Sequence, residues 1–460
     1  MLRLLSSFAC AGVATVAAAN AAPRRVFRNA RLIDPASGLD DKGAVLVNPD
    51  GTIADLGGHV VVDSIQEDIQ TIDCGGHALV PGLVDMRVYS REPGDEYMET
   101  LKTLSRAAVA GGVTTLACLP NTDPVIDDVS LLQFIQRRAA TVGLVNIHAY
   151  AAATKALAGK ELTEYGLLAE NGAVGFTDGG RVIADALVLR RALAYASIFG
   201  RPIVQHPEEP SLARDGVMNE GETATRLGLA GIPAKAEVMI IERDLHLVEL
   251  TGGRYHVANL STAEGIDAIR RAKARGLPVT CDTAPHYFAL NDSAVTDYRT
   301  FAKVSPPLRG EADRLAVIAG LADGTIDAIA SDHAPRAQDS KRLPFAQAEA
   351  GVIGLETLLP LTLELVHAGH LTLDRAVAAL TWCPADILAL PAGRLAVGAV
   401  ADFTLINLTI AGRVDVSRFR SKSKNSPFQG RPVEGRVTRT VRAGETVFDV
   451  DAAEAGQGHA

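Results

Sequence analysis

Arg87 and Tyr89 stand two residues apart where an apolar run gives way to a polar loop, in Pro81-Gly-Leu-Val-Asp-Met-Arg-Val-Tyr-Ser-Arg-Glu-Pro-Gly94. If the run Ala78–Val84 is a strand, side chains at alternate positions beyond it share a face, and these two point the same way. The guanidinium keeps its charge at any pH a protein meets, and the phenol keeps its proton near neutrality. Asn121, Asp178, His206, Asn259 and Asp332 each follow a short apolar run in the same manner. Taken singly, such residues read as caps and turns, positions that Asn and Asp favour. Taken as a ring, they are a place where polar groups of several kinds converge, and chemistry becomes the better reading.

A ring needs elements that carry all these run ends to one side. Eight candidate strands alternate with helical stretches: Ala78–Val84, Val113–Leu119, Val145–Ala151, Ala173–Thr177, Pro202–Gln205, Tyr255–Asn259, Pro278–Asp282 and Asp327–Ser331. The helical stretch "STAEGIDAIRRAKARG" starts on Ser/Thr, sets Ile266 and Ile269 three apart, carries basic residues late and stops at Gly276. Strands joined by right-handed helical crossovers predict a closed parallel (β/α)8 barrel, an α/β fold whose chemistry gathers at the C-terminal strand ends. An open doubly wound sheet is the rival, but no Gly-x-Gly-x-x-Gly follows the first strand, so no dinucleotide site is expected.

Both chain ends have another texture. "RVFRNARLIDPASG" and "GAVLVNPDGTIADLGG" are short β-like runs broken by turn clusters, and "GRLAVGAVADFTLINL" and "GRVTRTVRAGETVFDV" return to that style. The expectation is a small β-sandwich domain from residues 24–77 and 390–450, a barrel over 78–389 and a flexible tail over 451–460. Residues 1–23 read as a leader: a basic residue, a diluted apolar run and small residues before a possible cut near Ala21 resemble a secretory signal peptide or an over-extended start. A cleaved leader implies a periplasmic protein; otherwise the cytoplasm is expected.

The whole chain of 460 residues, 47% hydrophobic, suffices for a barrel with an appendage. A formal net charge of −9 argues against nucleic acid or an anionic membrane as partner, and no segment reaches the length of a membrane span. The five cysteines lack paired spacing, which suits a reducing compartment and offers no zinc-finger or redox motif.

With "PGLVDMRVYSREPG", the runs "GGVTTLACLPNTDPVID", "GRYHVANLSTAEGIDAIRRAKARGLPVTCDTAPHYFAL", "KVSPPLR", "ASDHAPR", "GVIGLETLLPL" and "FRSKSKNSPFQG" make the chain resemble the dihydroorotases of the amidohydrolase superfamily, in the branch related to allantoinase and dihydropyrimidinase. The resemblance spans residues 24 to 450 and implies the same barrel and flanking sandwich. It also implies reversible cyclisation of carbamoyl-aspartate to dihydroorotate on one or two zinc ions, which make hydroxide near neutral pH and polarise the amide.

Carried over residue by residue, the family's ligands meet a mixed reception. The two histidines of the first strand are Arg87 and Tyr89, and the histidine after the sixth is Asn259. Asp178, His206 and Asp332 match the bridging acid, the fifth-strand histidine and the eighth-strand carboxylate that ligates metal and shuttles protons. Three ligands suffice in principle for a catalytic zinc. A fixed cation at Arg87, however, repels a divalent ion and is expected to settle among the carboxylates in its place.

Arg91, Asn121 and His286 match the family's substrate-binding positions, whereas Arg336 and Glu349 replace a histidine and a proline there; a carboxylate at Glu349 is expected to disfavour an anionic substrate. His246, His256 and His333 need only a structural reading: a core hydrogen bond for His256, and for His333 a carboxylate or loop contact.

Such losses in a complete frame are most similar to the non-catalytic pseudo-dihydroorotases. The resemblance then implies no bound metal, an oligomer, and association with the aspartate carbamoyltransferase catalytic chain of pyrimidine synthesis. Two alternatives stand beside it. One is an active cyclic amidohydrolase with a reduced one-zinc site, acting on dihydroorotate or on a hydantoin- or allantoin-type ring. The other is a periplasmic binding protein, motivated by the leader.

Overall fold

The computed structural model describes residues 23–60 and 69–455, so all but the last residue of the expected leader lies outside the described residues. β1 (Arg24–Asp34) turns back antiparallel into β2 (Leu39–Val47), the Asp34 carboxylate closing the turn by accepting from Ser37 Oγ (2.8 Å). β3 (Ile53–Gly57) extends this hairpin, and β4 (Ile69–Asp73) and β5 (Ala78–Pro81) lie parallel to β1.

The run read as one strand over Ala78–Val84 is in fact two. β5 ends at Pro81 and belongs to the terminal sheet, and β6 (Leu83–Val88) is the first barrel strand. Gly82 makes the crossing. It lies so close to Thr114 that an added Cβ would sit 2.1 Å from the hydroxyl, and its N–H donates to the Asp402 carbonyl (2.9 Å). A Pro-Gly pair permits this break where an uninterrupted apolar run would have continued.

The barrel then follows in chain order. β7 (Val113–Cys118) pairs with β6, and β8 (Asn146–Ala149) with β7; β9 (Ala151–Ala152) follows one residue on, β10 (Phe176–Thr177) and β11 (Ile203–Gln205) next. A short pair, β12 (Met218–Asn219) and β13 (Gly231–Ile232), stands apart from these strands. β14 (Tyr255–Val257), β15 (Val279–Thr283) and β16 (Ala328–Ile329) complete the parallel set. Closure comes from a parallel bridge between Val88 and His333, with Tyr89 N–H donating to the His333 carbonyl (2.9 Å). Counting β8 and β9 as one strand about Tyr150, all eight expected barrel strands are present. Val84, Met86, Ala117, Tyr150, Val204 and Ala330 form an apolar cluster with their neighbours.

Helices cover the barrel as their sequences direct. In Ala263–Ala274 the Thr262 hydroxyl caps by accepting from Gly265 N–H, Ile266, Ile269 and Ala272 are buried, and Arg271 and Lys273 fall in the last turn, where they complement the carbonyl end. Gly276, at φ +77°, follows the stop. No helix among the described residues is long and apolar enough to cross a membrane.

The chain returns to the terminal sheet at β17 (Phe403–Arg413), antiparallel to β5 with Phe403 opposite Pro81 and Ile406 opposite Ala78; β18 (Pro432–Arg442) and β19 (Glu445–Asp449) follow. Hydrogen bonds join both chain ends in a single sheet of eight strands, ordered β19-β18-β17-β5-β1-β2-β3 with β4 on β1. It has its own core, in which Phe27 meets Phe403 edge-on at 4.8 Å. Of the tail expected over 451–460, the described part belongs to a helix over Val450–Ala455, in which Glu454 bonds Arg418 (3.2 Å) and Arg436 (3.1 Å); residues 456–460 lie outside the described residues.

Candidate functional site

Arg87 sits in an irregularity of β6, whose register against β7 shifts between Asp85 and Val88. The side chain is 2% exposed, and its Nε donates to Asp332 Oδ1 at 3.0 Å. Asp332, after β16, holds the left-handed backbone at φ 48°, a conformation uncommon outside glycine. Burial works against the Arg87 charge, but Tyr89, Asp332 and Asp282 more than offset it and raise the pKa above the ordinary arginine value.

Two acids of this cluster escaped the sequence reading. Asp282, in β15, has Oδ2 3.0 Å from His256 Nε2, while its Oδ1 accepts from Asn259 N–H at 2.7 Å. Asp85, in β6, accepts from Arg87 N–H (3.2 Å) and Ser331 N–H (3.1 Å) through Oδ1, and its Oδ2 is buried without a partner. Burial pushes the Asp85 carboxyl up to about 7. The available signal was an acid inside an otherwise apolar run, in "LVDMRV" and in "VTCDT".

Asp178 has a different companion. Its Oδ1 accepts from Thr154 N–H (2.8 Å) and its Oδ2 from Thr154 Oγ–H (2.5 Å), so Thr154 occupies both oxygens. Burial raises this carboxyl against those hydrogen bonds. His206 Nε2 lies 3.2 Å from Ser305 Oγ and its Nδ1 is buried without a partner. Burial, Arg87 and Arg309 together push His206 down to about 3, which keeps the ring neutral. Asn259, at φ 57°, leaves its carboxamide Oδ1 unpaired.

These donors do not fit a zinc ion. Asp332 is committed to a guanidinium, and among the described residues no three His, Cys, Asp or Glu side chains gather as a metal-ligating group.

The other expected site residues stand around this centre. Arg91, at φ 59°, places its guanidinium 4.9 Å from the Tyr89 ring centroid and donates through Nε to the Pro335 carbonyl (3.1 Å). Asn121 packs against the loop after Asp178: a Cβ on Gly179 would meet its Oδ1 at 1.7 Å. A Cβ on the next residue, Gly180, would meet the Tyr89 hydroxyl at 3.2 Å, so Asn121 and Tyr89 both face this loop. His286 is buried with Nε2 unpaired, and burial pushes it down to about 3.

Arg336 and Glu349 answer one another across 3.2 Å. The carboxylate expected to repel an anionic substrate therefore has a cation beside it. His256 bridges Thr280 Oγ1 (2.8 Å) and Asp282 within the core. His333 accepts from Gly354 N–H at Nδ1 (3.2 Å) and turns Nε2 towards Glu99 (3.5 Å), away from any role on Asp332.

Comparison with known proteins agrees with this frame. The dihydro-orotase-like family matches residues 76–265. The dihydroorotase of Anaplasma phagocytophilum is 46% identical over 430 residues, covering 92% of this chain and 94% of the relative. That of Pelobacter propionicus is 46% identical over 423 residues, covering 92% and 99%. Among solved structures, the L-hydantoinase (dihydropyrimidinase) of Arthrobacter aurescens superposes with a TM-score of 0.82 at 26% identity, covering 92% of this chain and 96% of that one. The dihydropyrimidinase of Brevibacillus agri gives 0.79 at 20% identity, covering 93% and 95%, a likeness of fold. With 46% identity and near-complete coverage on both sides, the chain belongs to the dihydroorotase-like family of amidohydrolases.

Proposed function

We propose that this chain is a dihydroorotase-like protein without metal-dependent catalysis, acting as a structural or regulatory partner of the aspartate carbamoyltransferase catalytic chain. The observation that carries the reading is the buried ion pair of Arg87 and Asp332, at 3.0 Å. A carboxylate neutralised by a fixed cation is a poor metal ligand and a poor proton shuttle, and a divalent ion placed there would face the guanidinium directly. Thr154 on Asp178 and a carboxamide at Asn259 weaken the remaining donor set in the same direction. The partner half rests on the resemblance to non-catalytic relatives, whose contribution is a surface and not a reaction.

Two measurements test the two halves. Protein purified and then supplied with excess zinc should hold no stoichiometric zinc, manganese or iron and should neither open dihydroorotate nor close carbamoyl-aspartate. Stoichiometric metal, with hydrolysis that Asp332→Ala abolishes, would replace the proposal with a working one-metal amidohydrolase. Co-expression with an aspartate carbamoyltransferase catalytic chain should give a complex of more than one copy of each that survives gel filtration. Two separate peaks would remove the partner.

A further inference from the structure

Beyond Arg336, away from the buried ion pair, lies a cavity of about 320 Å³ lined by Tyr97, Phe301, Arg336, Lys341, Lys422 and Lys424 among others. No Asp or Glu lines it, although the chain as a whole carries 54 acids against 45 bases. The lysines find main-chain carbonyls instead. Lys341, 2% exposed, donates to the carbonyls of Glu349 (2.8 Å) and Gly351 (3.2 Å). Lys422 donates to Glu96 O (2.8 Å), and Lys424 to Phe419 O (2.5 Å) and Ser421 O (3.0 Å). Carbonyls position an ammonium group without neutralising it. Each ammonium has three donors, so Lys422 keeps two for a ligand and Lys424 one. Arg336 has the Glu349 carboxylate beside it, at 3.2 Å.

Burial pushes Lys341 down to about 7, so the charge offered to an anion is that of Lys422 and Lys424 with Arg336 beside them, and around one concavity in a molecule of opposite net sign these make a local trap for an anion. The same cavity also offers flat apolar faces, from Tyr97, which is 61% exposed, and from Phe301. Its volume is at the lower end of the roughly 300–1,000 Å³ usual for small-molecule sites. We propose that this cavity binds a nucleoside phosphate, with phosphate oxygens on Lys422, Lys424 and Arg336 and the base against Tyr97 and Phe301. Neither Arg87 nor Asp332 lines this cavity, so its occupation does not depend on whether that pair is catalytic.

Calorimetric titration of the full chain with ADP and with UDP tests this, beside adenosine, uridine and inorganic pyrophosphate. Saturable binding of a nucleoside diphosphate is expected, with no binding of the bare nucleosides. Lys422→Ala/Lys424→Ala should weaken it at least tenfold and Tyr97→Ala/Phe301→Leu at least threefold, while Lys422→Arg/Lys424→Arg keeps it. Melting temperatures of the three variants should match the parent, which separates loss of binding from loss of fold. No binding of either diphosphate at millimolar concentration would overturn the site. Pyrophosphate binding as tightly as the diphosphates, unaffected by the aromatic substitutions, would overturn the nucleoside assignment and leave a simple anion pocket.

Discussion

Arg87 and Asp332 hold each other's charge where water scarcely reaches, so neither can be removed alone without stranding the other. Arg87→Met should cost about 3–5 kcal/mol of stability, and Asp332→Leu a similar amount, because each leaves the other charge buried and alone. The apolar double replacement Arg87→Met/Asp332→Leu should cost far less than the sum, a difference that urea unfolding of the four proteins measures. Additive losses would mean that the two groups do not share a buried bond.

His286 gives a pH-dependent counterpart. Its folded pKa of about 3 lies below the ordinary 6.5. Between those values the unfolded chain binds the proton and the folded chain does not, so falling pH favours unfolding by about 1.4 kcal/mol per unit. His206, also near 3, adds in the same sense. Asp85, near 7, and Glu356, near 8, act oppositely, because there the folded chain holds the extra proton. Terms of both signs therefore overlap in the whole-protein curve. The His286 share appears only by difference: from pH 6 to pH 5 the parent should lose about 1.4 kcal/mol relative to His286→Gln. Parallel unfolding curves would show that the ring protonates in place. At this scale the sequence discloses residue types and loop positions. It does not disclose that Thr154, from a different strand end, takes both oxygens of Asp178 before Arg87 can.

Strand and helix alternation made the eight barrel strands legible, because burial on the parallel sheet demands continuous apolar runs that turn residues then punctuate. Two features resisted. The irregularity around Arg87 is a matter of pairing register, which one strand's residues do not encode by themselves. The break at Gly82 is short enough to hide inside the run Ala78–Val84. That break has a measurable cost if filled. Gly82→Ala forces a methyl group against Thr114 in both sheet and barrel packing, and should lower stability by about 1–3 kcal/mol in thermal or urea unfolding. An unchanged stability would mean that Thr114 turns aside freely.

Across the whole molecule, the two ends of the chain complete one another. β5 is flanked by β1 on one side and β17 on the other, so removal of residues 403–455 leaves a bare, apolar strand edge. Such a truncated chain should express almost wholly in the insoluble fraction, as judged by fractionation of lysates against the full chain; a soluble product would show that the barrel shields the edge unaided. The pairing of both termini could be read from their shared β texture. The order in which hydrogen bonds join their strands could not, because it depends on which edges meet in space. The register of Ala78 with Ile406 also sets a timetable for biosynthesis. While the ribosome is still making the barrel, the nascent sheet must wait with one border open. It can be sealed only after more than three hundred further residues have emerged, so the barrel is made in full before the sheet beside it gains its last neighbour.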